Sequence, residues 1–203
     1  MLHSHNLKLT QNRMHRSFIF LAEGFEEIEA LTVVDVMRRA GMDIKTVSIT
    51  SEHKVVGAHG IPVLTDMTFK EADFDDSEWL ILPGGMPGAT NLAAFEALGD
   101  LLKVHKGKIA AICAAPAVVL APLGLLKDKE ATCYPGFEPA CRANGAIMRD
   151  APVISLTNLI TANGPSSALR FALAIVASSL GEQAAQEVGG AMLYYPKKMN
   201  FYF

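Results

Sequence analysis

The sequence predicts an α/β fold, a mostly parallel sheet covered on both faces by helices, and three observations lead there. From Ser17 onward, short β-branched or aliphatic runs alternate with longer helical stretches, which is the signature of repeated βα units. The helical stretches end on glycines, Gly41 and Gly181, where a helix stop belongs. The chain has 203 residues, half of them hydrophobic, enough for one well-buried core in a single domain.

Taken in order, the first element is a polar lead, residues 1–16, with three of the six histidines. It lacks the apolar stretch and small-residue cleavage site of a secretory signal, and it reads as disordered, with Met14 as an alternative start. Strands are expected at 18–21, 44–49, 79–82, 109–112 and 159–162, with helices at 26–40, roughly 91–105, from Pro116 onward, and 166–180. That makes five strands and four helices in βα alternation. The segment 54–66 differs, because two short apolar runs flank a glycine-containing turn, so it reads as a hairpin at the edge of the sheet. No repeat or linker divides 17–193, which is taken as one domain, and 194–203 is an aromatic tail without assigned role.

Charge and composition exclude several classes. A formal net charge of −3 gives no reason to expect a nucleic-acid partner. The longest apolar runs are broken by charge, Gly or Pro well short of the ~18–20 residues of a membrane span. Cys133 and Cys141 are eight apart and Cys113 lies twenty residues earlier, an odd set without paired metal spacing. No metal is expected, and a reducing, cytoplasmic setting fits.

Three features can carry chemistry. The strand 109–112 runs directly into Cys113 and then into a small-residue helix with Pro116 in its first turn. In such a sheet ligands bind at the carboxyl ends of strands, and a residue on a sharp strand-to-helix turn projects into that crevice. The helix start favours an anion, so the thiol pKa is expected to fall, although a free cysteine is also commonly just a small buried hydrophobe. The loop Leu82-Pro-Gly-Gly-Met-Pro-Gly-Ala-Thr-Asn91 places Gly84 and Gly85 at the same edge, where backbone N–H groups can hold an oxyanion, or simply make a tight turn. It is neither a phosphate loop nor a dinucleotide fingerprint. Finally, Glu29 shares a helix face with Phe25, Val33 and Val36 and so should point at the sheet, protonated or specifically bonded. Glu26 and Glu27 read as ordinary first-turn charges that need no function.

Together these segments resemble the ThiJ/PfpI superfamily, in the branch of the Parkinsonism-associated protein deglycase and its bacterial relatives. The resemblance runs from about Phe18 to Leu193 and rests on Glu26-Glu27-Ile28-Glu29, Thr32 to Gly41, Leu82 to Gly85, Ala111 to Ala114, and Gly164-Pro165. It implies a flavodoxin-like three-layer α/β/α sandwich, similar to class I glutamine amidotransferases, and a homodimer. It implies Cys113 as nucleophile or redox centre, Glu29 as a protonated partner, and the N–H groups of Gly85 and Ala114 as the oxyanion site. Gly84, Cys133, Tyr134, Pro165 and His59 fall around the implied pocket. The implied function is glyoxalase- or deglycase-like action on small reactive carbonyls without any cofactor, with an oxidant-sensing or chaperone-like protein as the alternative.

Two departures from the pattern matter. Ala114 stands where the protease-like branch has His, which argues against a cysteine peptidase, and nothing supports a thiamine-biosynthesis role. Tyr134 stands where the deglycase branch has His before a proline, and no histidine follows His105. His105 precedes a short strand rising ~3.3 Å per residue, so it belongs at the end remote from Cys113. His59 is expected as an exposed turn residue, or as a group reaching a dimer mate's pocket. Cys133 is expected as a buried strand cysteine, or as a thiol that resolves oxidised Cys113.

Overall fold

A computed structural model describes residues 16–194. The expected lead and tail lie outside the described residues except for Arg16 and Tyr194. In chain order the elements are β1 (Ser17–Leu21), α1 (Glu27–Arg39), β2 (Ile44–Ser48), β3 (Lys54–Val56), β4 (Pro62–Leu64), β5 (Met67–Thr68) and β6 (Trp79–Leu82). Then come α2 (Gly88–Ala94), α3 (Glu96–Val104), β7 (Lys108–Ile112), a π-helical turn (Pro116–Leu120), β8 (Glu130–Ala131), α4 (Glu138–Ala143) and β9 (Ile147–Met148). The chain closes with β10 (Val153–Ser155), β11 (Leu159–Ala162), a 3-10 turn (Pro165–Ser167), α5 (Ala168–Leu180) and α6 (Glu182–Ala191).

Seven strands form the central sheet in the order β10-β11-β7-β6-β1-β2-β5, parallel throughout except for antiparallel β10. Alternate residues of each strand feed two separate cores. On one face Ile19, Leu21 and Ile81 pack with α1 and α5; on the other Phe18, Phe20 and Leu82 pack with α2, α3 and the π turn. Both faces are apolar because both are covered, which gives the α/β/α sandwich that the sequence predicts.

Four local differences from the expected elements have physical causes. The stretch 91–105 is two helices, because Phe95 takes an extended conformation between α2 and α3 and turns its ring against Phe69. The helix expected from Pro116 onward is only a five-residue π turn, Pro116–Leu120, followed by turns. The hairpin β3-β4 forms, yet it pairs only with itself and β5 takes the sheet edge beside β2. The hairpin's free backbone groups bond to the β1–α1 loop instead: Gly24 N–H donates to Val56 O and Ala58 N–H to Phe25 O, both at 2.8 Å. Cys133, expected on a strand, lies in the loop after β8.

Candidate active site

The turn from β7 into the π helix positions Cys113. Its φ of +64° is a left-handed conformation that costs a side-chain-bearing residue on the order of 1–3 kcal/mol. Two backbone bonds hold it there: Cys113 N–H donates to Ala162 O at 2.9 Å, and Tyr134 N–H donates to Cys113 O at 2.8 Å. The sulfur is aimed at the carboxyl edge of the sheet, where a strained nucleophile turn presents its side chain.

Glu29 reaches the same point from the first turns of α1. Its side chain is 0% exposed, and Oε2 accepts the Gly84 N–H at 2.7 Å, while Oε1 is sealed from solvent with no bonding partner. Burial pushes its pKa up to about 7, against the pull of the Gly84 N–H and the Cys113 thiol, with the Glu26 charge adding to the rise. Phe25, Val33 and Val36 are buried on the same helix face, so the helical periodicity that aims them at the core also aims this carboxyl.

Between thiol and carboxyl lies Gly84. A methyl group there would sit 2.6 Å from Cys113 Cβ, 2.8 Å from Glu29 Oε2 and 2.9 Å from the Cys113 sulfur. Next to it Gly85 has φ +88°, a conformation that turns its N–H toward the sulfur, and the Ala114 N–H points there as well. Cys113 is 9% exposed, so it is nearly but not wholly sealed from solvent.

The expected drop in thiol pKa is not found. Burial, the Glu29 charge and the Glu29 hydrogen bond push Cys113 up to about 12, outweighing the Gly85 and Ala114 N–H groups that pull it down. A five-residue π turn supplies little helix dipole. Two of the three upward causes come from Glu29 as an anion, so both vanish while Glu29 keeps its proton. The two side chains therefore act as one unit that holds a single charge easily and two only at high pH.

Around this centre the other expected residues are arranged unevenly. Tyr134 is partly exposed, and its ring edge covers Gly164, 3.3 Å from where a Cβ would stand, just before Pro165. His59 is held within its own chain: its N–H and Nδ1 both meet the Glu27 carboxyl at 2.8 Å. His105 stands at the opposite end of β7, as its spacing predicts. Cys133 is buried with its thiol bonded to Cys141 rather than to Cys113.

Glu27 is the residue that sequence reasoning missed. Far from being an idle surface charge it is buried, and Oε1 also accepts from Ile61 N–H, so it clamps the hairpin tip onto α1. The His59 and backbone bonds hold its pKa below the usual range despite burial. Only the run Glu-Glu-x-Glu hinted at more than helix-start charge. Among the described residues, Glu26, Glu27 and His59 are the group whose ligand atoms could gather round a cation, all within 4.8 Å, but Glu27 and His59 spend those atoms on each other.

The chain is similar to known proteins along most of its length. The family model described as DJ-1/PfpI matches residues 15–178. The Drosophila melanogaster protein dj-1beta is 34% identical over 180 residues, 87% of this chain and 96% of that protein. A Caenorhabditis elegans protein named glutathione-independent glyoxalase DJR-1.2 is 33% identical over 164 residues, covering 79% of this chain and 86% of the relative. The structure of oxidized Toxoplasma gondii DJ-1 superposes with a TM-score of 0.84 at 33% identity, over 89% of this chain and 98% of that one.

Proposed function

Because the chain belongs to the DJ-1/PfpI family, we propose that it converts small α-oxoaldehydes to hydroxy acids without a cofactor, using Cys113 as nucleophile and Glu29 as proton carrier. The observation that carries this reading is the buried Glu29 carboxyl, titrating at about 7, set against the sulfur of a strained Cys113. A general acid–base works best when its pKa lies near the working pH.

The steps follow from the residues. Cys113 sulfur adds to the aldehyde carbon as its proton passes to the carbonyl oxygen, giving a hemithioacetal. The N–H groups of Gly85 and Ala114 hold the developing oxyanion. Glu29 removes the proton from the former aldehyde carbon as the ketone oxygen takes up the hemithioacetal hydroxyl proton, giving an enediol, and then returns its proton to the neighbouring carbon, which leaves an alcohol there and a thioester carbonyl on Cys113. Water cleaves the thioester, releasing the hydroxy acid and restoring the thiol. No histidine is needed, which suits a site from which the described histidines, His53, His59 and His105, stand apart.

The test is conversion of methylglyoxal to lactate. Cys113→Ser is expected to lose roughly 10³-fold or more, and Glu29→Gln roughly 10²–10⁴-fold. Turnover that survives Cys113→Ser would overturn the reading. The name carried by the nematode relative supports the same chemistry.

A second reading, an oxidant-sensing thiol, draws on the same N–H groups, which would bond the oxygens of a Cys113 sulfinate. It predicts that mild peroxide adds oxygen to Cys113 before either other cysteine. Oxygen addition spread equally over all three thiols would count against it. The setting in either case is the cytoplasm, in keeping with three free cysteines; among the described residues no helix is long and apolar enough to cross a membrane. A homodimer fits the exposed apolar residues Ile28 and Leu31 of α1 beside Ile61 and Leu64 of the hairpin. Size-exclusion chromatography with light scattering would test it, a monomer at micromolar concentration counting against it.

A further inference from the structure

The two remaining cysteines, Cys133 and Cys141, have no part in the chemistry above. After β8 the chain passes Cys133, turns through 134–137 with Phe137 N–H on Tyr134 O, and enters α4. It then folds back: Ala146 N–H donates to Cys141 O, and β9 runs parallel to β8 with Ala131 opposite Met148. This return path lays the inner face of α4 against the loop holding Cys133. Both thiols are buried in the same apolar cluster, at 3% and 0% exposure, and they share a hydrogen bond. A cavity of about 120 Å³ opens beside Cys133, bordered by Glu138, Arg142, Arg149 and Asn163.

We propose that Cys133 and Cys141 are a second redox site, a dithiol that a peroxide entering this cavity closes into an intramolecular disulfide independently of Cys113. Cys133, the sulfur at the cavity, attacks a peroxide oxygen: an S–O bond forms, the O–O bond breaks, and the leaving oxygen departs as water with the thiol proton. Cys141 then attacks the sulfenyl sulfur as a thiolate: the S–S bond forms, the S–O bond breaks and hydroxide leaves. Peroxide is reduced and two sulfurs are oxidised by one electron each. The bond from Cys133 and the Arg142 charge draw the Cys141 thiol down, and the charge is still present in the second step, whereas the bond to Cys141 and burial push the Cys133 thiol up, so the attack of Cys133 on peroxide is the slow step.

Closure has a direct route to the main site, because Tyr134, the residue after Cys133, bonds to the Cys113 carbonyl. Substituting the buried sulfurs is unnecessary for the first test. The full chain bearing Cys113→Ser is treated with a small excess of hydrogen peroxide, alkylated under denaturing conditions and digested. The expected result is an intact mass lower by two hydrogens, a cross-linked peptide pair containing Cys133 and Cys141, and full reversal by dithiothreitol. Adding Cys141→Ser should abolish the cross-link and leave a sulfenic acid at Cys133 that a dimedone probe captures. Full alkylation of both thiols after peroxide would overturn the proposal. So would a Cys113–Cys133 cross-link in the unsubstituted chain.

Discussion

The two ends of β6 and β7 are built from the same strands yet treat polar groups in opposite ways. At the amino end, Trp79 Nε1 donates to Ser179 Oγ at 2.8 Å, Ser179 donates to Glu78 at 2.6 Å, and Lys108 Nζ donates to Ser178 O at 2.8 Å. The groups left over there are the Ser17 hydroxyl and His105 Nε2, on an imidazole that burial holds neutral. At the carboxyl end, a cysteine is held at φ +64° and a buried carboxyl is pushed to about 7 with one oxygen unbonded. The amino end also borders a cavity of about 750 Å³, far larger than anything the thiol needs. Strain and an unsettled charge, and not the volume of a cleft, set the candidate site apart from the opposite end.

The sharpest way to break this contrast is Gly84→Ala. A methyl so close to both reacting side chains must push them apart, and a misplacement of that size costs roughly 100-fold in rate. Wild-type turnover in this variant would show that the contact between Cys113 and Glu29 is not used.

The next effect is one of stability with pH. The folded pKa of Glu29 is raised from an ordinary 4.5 to about 7, so folding favours the protonated form. Its contribution is whole below pH 4.5 and is lost as pH rises through 7, a total of roughly 3 kcal/mol. Glu29→Gln, which keeps an oxygen for the Gly84 N–H and cannot ionise, should be more stable than wild type by about that much at pH 8. In urea titrations the gap should close toward pH 4.5. An equal gap at both ends of the range would refute the assignment of a buried, raised carboxyl.

Glu27→Ala tests a carboxylate on the same helix turn that is fully paired. Losing bonds to His59 and Ile61 should cost roughly 2 kcal/mol and speed amide exchange across 54–64. Unchanged exchange there would mean the hairpin is held by packing alone. The smallest effect belongs to the quiet end: Ser179→Ala leaves the Trp79 N–H unpaired, costing about 1–2 kcal/mol in denaturant unfolding with turnover unaltered. A loss of activity without loss of stability would place function at that end too.

How much of this was legible in the sequence depends on the range of the contacts involved. The Cys113 turn could be read because strand, nucleophile and helix start are contiguous, and Glu29 because helical periodicity alone puts it with Phe25 and Val33. The clamp by Glu27 could not, since its partners His59 and Ile61 are more than thirty residues away on a hairpin whose docking no local pattern encodes. Short strands such as β5 and β8 escaped because two residues carry no periodicity.

The sequence by itself determined the layered architecture, the order of the strands' apolar runs and the aim of Glu29 at the sheet, because each rests on spacing along the chain; the pairing of that acid with Cys113 was implied only by the family resemblance. Tertiary structure decided the rest: that the thiol is pushed up rather than down, that Glu27 is a clamp, and that Cys133 faces Cys141. The reason is physical. Charge states and side-chain partners depend on desolvation and on distances between segments, and those exist only once the chain has closed around them.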